Sequence, residues 1–78
     1  MVRRLSCMDN YARRKQLGES IRRCRERRDL SQRELALMIS SNQSYLWEIE
    51  QGKTSVGFDV ICRIADALDI AVRDLVDF

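Results

Sequence analysis

Between Asn42 and Lys53 the chain reads NQSYLWEIEQGK, and the residues able to interact chemically are Gln43, Ser44, Trp47, Glu48 and Gln51. At about one hundred degrees per residue, Ser44, Glu48 and Gln51 lie nearly opposite Leu46, and Trp47 lies on the flank. Two amides, a hydroxyl, a carboxylate and an indole are groups for recognising another molecule's polar edges, or else an ordinary solvated face with one large aromatic on it. Bond-making chemistry has no comparable support. The chain has no histidine, no glycine-rich phosphate loop and no spaced metal ligands, and its serines sit at caps and turns. We therefore expect no enzyme, no cofactor and no metal.

The elements that must position this face follow from helical periodicity. Leu17, Ile21 and Cys24 share one side of a first helix, expected to begin at the Asp9-Asn10 cap signal and to end near Arg28-Asp29. In LSQREL, Ser31 and Glu34 have capping-box spacing, and Leu30 and Leu35 stand where a hydrophobic staple would close. A second helix starts there, with Leu35, Ala36, Met38 and Ile39 expected inward. SSN at 40–42 interrupts it, Asn42 caps a third helix that buries Leu46 and Ile49, and Gly52 supplies a left-handed stop. Phe58, Ile61, Ile64, Ala65 and Leu68 predict an amphipathic fourth helix opened by Gly57. Ile70, Val72, Leu75, Val76 and Phe78 predict a short apolar fifth. No segment alternates with period two, so the fold class is all-α.

Seventy-eight residues without proline suit one small domain with little room for a cleft. No apolar run is long enough for a membrane span, and the polar stretch after Met1-Val2-Arg3-Arg4 is unlike a signal peptide, so a cytoplasmic location is expected. Cys7, Cys24 and Cys62 are odd in number and widely spaced; Cys24 and Cys62 are expected to pack as small apolar residues. Charge is unevenly distributed. Residues 1–33 carry eleven Arg or Lys against four acids, and residues 34–78 carry three against eight. The basic block suits an anionic partner such as nucleic acid, although basic helical faces are often merely solvated. Residues 1–16 are expected to be a basic arm or helical extension, and 17–78 the folded domain.

Two short helices joined by a few residues, the second capped by Asn42 and polar outside, form a helix-turn-helix pattern. From Leu17 to Leu75, LSQRELA, the small Ala36, SYLWEIEQGK and IADALDI occur in an order and spacing that resembles the phage-repressor and Cro (XRE-type) DNA-binding domain. The resemblance implies a compact five-helix domain in which helices two and three form the helix-turn-helix. Two departures stand out. Ser40 and Ser41 occupy turn positions where the family usually has glycine and an apolar residue, and Asp29 replaces a glycine after helix one. Ser40 is therefore expected to be left-handed at a cost of roughly 1 kcal/mol, and Asp29 to tolerate the same conformation.

In such a domain Gln43, Ser44, Trp47 and Glu48 would read bases in the major groove. Gln32 would brace Gln43. Ser31, Gln32, Tyr45, Gln51, Lys53 and Thr54 would anchor phosphates. Trp47 could instead fold over the protein or meet a protein partner. Glu48 would repel phosphates unless it accepts from a cytosine amino group. Glu50 matches the family's buried acid, with Arg25 as its structural ion-pair partner. Val72, Leu75, Val76 and Phe78 are expected to form a two-fold dimer interface. The expected function is a sequence-specific transcription regulator binding double-stranded DNA at a palindromic operator as a homodimer, with no small-molecule substrate. The alternative is a protein-interaction module of the same fold, antitoxin-like or an adaptor, with Trp47 as anchor.

Overall fold

Local capping chemistry decides where each helix starts and stops. The computed structural model describes the backbone from Ser6 to Phe78 and side chains from Asn10 onward; the first residues of the expected basic arm and the Cys7 side chain lie outside the described residues. Five helices follow in order: α1 (Ser6–Arg27), α2 (Gln32–Met38), α3 (Gln43–Gln51), α4 (Phe58–Ala67) and α5 (Val72–Leu75). The Asp9-Asn10 signal does not start α1, which already runs through both residues. No proline interrupts this stretch, so nothing stops the hydrogen-bond ladder from extending towards the N-terminus. Residues 16 and 17, where arm and domain were expected to meet, both lie inside α1.

At the start of α2 the capping box is complete. Glu34 N–H donates to Ser31 Oγ at 3.0 Å, and Ser31 N–H donates to Glu34 Oε1 at 2.8 Å. That backbone bond, followed by the Ser31 side chain, holds the exposed Glu34 carboxyl below the usual carboxylate range. The cap therefore contributes stability above the unfolded-state pKa of Glu34 and loses it as pH falls through the lower folded-state value. Tyr45 N–H likewise donates to Asn42 Oδ1 at 2.9 Å to open α3.

The first four helices end alike. One amide bonds back three residues and the next bonds back five, as in Glu26–Asp29 with Arg25–Leu30 and in Ile49–Gly52 with Glu48–Lys53. The residue in the left-handed position is Asp29 (φ 56°), Ser40 (φ 57°), Gly52 (φ 75°) or Asp69 (φ 57°). Ser40 and Asp29 thus adopt the expected conformation, and Asp69 joins them.

One core gathers all five helices: Leu17 and Ile21 from α1, Leu35, Ala36 and Ile39 from the second helix and its end, Leu46 and Ile49 from α3, Ile64, Ala65 and Leu68 from the fourth, and Leu75 from α5. Three expected positions are corrected. Met38 is 52% exposed because Leu35, Ala36 and Ile39 already complete the inward stripe of a two-turn helix. Phe58 is 68% exposed because it occupies the first turn of α4, ahead of the stripe that faces the core. Leu75, assigned to a dimer interface, is fully buried within its own chain. Ser20 Oγ donates to the Leu75 carbonyl at 2.6 Å, which fastens α5 to α1.

Helix α1 packs chiefly against α3, and Gly18 makes that approach possible. A Cβ at Gly18 would stand 2.5 Å from the Ile49 carbonyl oxygen and still nearer that of Glu50. Because backbone rather than a flexible side chain blocks the space, Gly18→Ala should cost about 3 kcal/mol or more. Gly57→Ala is the control, since nothing lies within 4 Å of a Cβ there. Denaturant midpoints of the two variants check the contrast: Gly57→Ala should stay near wild type while Gly18→Ala falls steeply.

Candidate nucleic-acid interface

Helix α3 divides its residues by angle. Leu46, Ile49 and Glu50 are buried, whereas Gln43, Ser44, Trp47 and Glu48 are exposed. With Gln32 from α2, those four line one shallow groove. The groove presents amide donors and acceptors, a hydroxyl, a carboxylate and an aromatic edge, the set of groups that can distinguish base pairs by their groove edges.

Glu50 fixes the orientation of this face from below. Its Oε2 accepts from Arg25 Nε at 2.8 Å and its Oε1 from Arg25 Nη2 at 3.1 Å, a bidentate pair. The two side chains are only 10% and 2% exposed. Arg25 Nη1 also donates to the Leu30 carbonyl at 2.8 Å, so the guanidinium bonds the turn between α1 and α2 as well. Gln32 Nε2 donates to Glu50 Oε1 at 2.9 Å. The expected brace from Gln32 to Gln43 is thereby corrected: the Gln32 amide donates to the buried carboxylate, a stronger acceptor than a neutral amide. One acid receives bonds from α1 and α2 while sitting on α3.

The other expected site residues are distributed around this frame. Ser31 commits its amide and its hydroxyl oxygen, as acceptor, to the capping box beside the Glu34 carboxylate. Tyr45 is half-buried against the core. Gln51 is half-buried and shares a polar depression with Arg22, Arg25, Glu26 and Trp47. Lys53 is exposed and Thr54 half-buried in the segment after α3. The Lys53 ammonium stands 5.9 Å from the Trp47 ring centroid, within reach of a cation–π contact. Nothing in residue spacing signals this pair, because Lys53 lies past the left-handed stop, where helical angles no longer apply. Val72 and Val76 are half-buried and Phe78 is 55% exposed.

Among the described residues no helix is long and apolar enough to cross a membrane. A family profile described as a helix-turn-helix domain matches residues 16–78. Control protein C.BamHI of Bacillus amyloliquefaciens is 34% identical over 62 residues, which cover 78% of this chain and 76% of that protein. The crystal structure of the restriction-modification controller protein C.AhdI from Aeromonas hydrophila superposes with a TM-score of 0.82 at 36% identity, covering 86% of this chain and 97% of that one. The clp gene regulator ClgR from C. glutamicum superposes with a TM-score of 0.79 at 30% identity, covering 82% and 83%.

Removing either member of the Arg25–Glu50 pair strands the other charge in the interior, so Arg25→Met and Glu50→Leu should each cost on the order of 3 kcal/mol. The double variant should lose less than the sum, because it leaves no unpaired ion. Denaturant midpoints across the four-member cycle check this; small, additive losses would contradict it.

Proposed function

The chain belongs to the helix-turn-helix domain family of DNA-binding transcription regulators, and from that membership we propose that it reads an inverted-repeat operator as a homodimer. The observation that carries the reading is the α3 groove. Gln43, Ser44, Trp47 and Glu48 are exposed together on a helix held by a buried ion pair, so the groups that would meet base edges are pre-positioned. Gln43 is assigned to adenine, whose N6 and N7 match its amide, and Ser44 to a neighbouring base. Glu48 accepts from a cytosine amino group, and Trp47 packs on thymine methyls or deoxyribose at the edge of the groove. Lys53, Thr54, Gln51, Tyr45, Gln32 and Ser31 are assigned to the phosphates flanking this contact.

Dimerisation supplies the specificity that one short helix lacks. A single α3 contacts only a few base pairs, whereas two copies related by a two-fold axis sum their contributions on one duplex. Val72, Val76 and Phe78 at the C-terminal end are assigned to that interface, without Leu75. The operator is then expected to have half-site centres about 34 Å apart. C.AhdI is a controller protein of a restriction-modification system; with C.BamHI, a control protein, it favours control of such genes as this chain's role.

Selection of bound sequences from random DNA is the primary test, and failure to enrich any site would overturn the proposal. On the selected site, Gln43→Ala should weaken binding by about 1–3 kcal/mol while leaving binding to random DNA nearly unchanged. Lys53→Ala should weaken both alike and reduce the salt slope by about one. For the dimer, sedimentation at micromolar concentration should show twice the chain mass, and Val76→Asp with Phe78→Asp should halve it. A wild-type monomer that stays monomeric on DNA would refute the two-fold arrangement.

A further inference from the structure

The amino-terminal half of α1 lies beside the segment that follows α3. Arg14 Nε donates to the Gly52 carbonyl at 3.2 Å, and a Cβ on Gly52 would meet the backbone N and Cα of Lys15 at 3.0 Å. A groove between the two segments is lined by Asn10, Arg13, Arg14 and Leu17 on one side and Ser55 and Val56 on the other, and is bordered by Phe78, which is assigned above to the contact between copies. Residues 10–16 carry three cations, Arg13, Arg14 and Lys15, and no acid. The family match begins at residue 16, immediately after these cations. Arg13 and Lys53 are exposed, and the Arg14 guanidinium carbon sits 6.0 Å from the Tyr11 ring centroid.

We propose that Arg13, Arg14 and Lys15 continue the Lys53–Thr54 anchor into a second phosphate-binding surface, which grips the DNA backbone beside the bases read by α3. The proposal rests on α3 being the major-groove reader. The chemistry favours backbone over bases. Arg13, Arg14 and Lys15 fan over about 200° of α1 around the Gly52 turn, where cations attract phosphate oxygens, and their helix is fastened alongside α3 by the Arg14–Gly52 bond. Such contacts add affinity and salt dependence and carry no sequence information. The strong positive balance of the chain's first third thereby gains a partner that the helix-turn-helix alone does not use.

The test variant is Arg13→Gln/Lys15→Gln, which leaves the Arg14–Gly52 bond in place. Binding to a random-sequence duplex of about three helical turns, and to the selected operator, is followed by anisotropy across a potassium chloride series. Relative to wild type, the salt slope should fall by about one to two, with equal weakening on both duplexes and unchanged base preference. An unchanged denaturant midpoint establishes that the variant is folded. A wild-type slope in a folded variant overturns the proposal, and so does an unchanged slope with an altered sedimentation mass, which would assign these cations to a contact between copies. If wild type selects a site through Gln43 and the variant keeps its salt slope, only the present proposal falls. If wild type binds neither duplex, the assignment of α3 falls and takes this one with it.

Discussion

A carboxylate removed from water must be neutralised or bonded on every side, and Glu50 imposes that requirement on the rest of the domain. Its two oxygens accept three hydrogen bonds, two from Arg25 and one from Gln32, which draw together α1, α2 and the helix that carries Glu50 itself. An apolar residue of similar size would fill the same volume with less directional demand. The ion pair is satisfied in one arrangement, so it fixes the rotation of α3 about its own axis as well as its depth in the core. The third Arg25 bond, to the Leu30 carbonyl, extends that constraint to the point where the chain turns into α2.

Close backbone contact completes what the ion pair begins. Gly18 lets α1 rest on the last turn of α3, where the Ile49 and Glu50 carbonyls lie, and Arg14 bonds the Gly52 carbonyl just beyond. Lys15 packs on Gly52, the one left-handed position of the four helix ends that is filled by glycine. A side chain there would meet both an unfavourable φ and the α1 backbone. At Asp29, Ser40 and Asp69 the same turn is made by residues that carry a Cβ. The glycine therefore stands where two helices meet.

Much of this was legible in the sequence. The capping box at Ser31 and Glu34, the Asn42 cap, the Gly52 stop and the inward stripes of the second, third and fourth helices are local patterns, encoded within one or two turns. The left-handed Ser40 was visible as a turn position without its usual glycine. What escaped depended on distance or on element length. The start of α1 was misplaced because a cap signal at Asp9 does not interrupt a helix that can continue past it. Met38 and Phe58 were placed inward from hydrophobicity, although short helices have few inward positions to fill. Leu75 looked like surplus apolar surface because its place beneath Ser20 spans 55 residues of chain. The Gln32–Glu50 bond and the Lys53–Trp47 contact join side chains whose proximity only the folded backbone determines.

The division of labour along α3 also has an evolutionary consequence. Leu46, Ile49 and Glu50 carry the packing, while Gln43, Ser44, Trp47 and Glu48 face outward and contribute little to the core. Substitutions at Gln43, Ser44 and Glu48 should be nearly invisible to stability, because surface changes of this kind seldom alter it by more than about 0.5 kcal/mol. On the proposed reading, what the domain recognises can therefore change on one helical face while the scaffold stays folded.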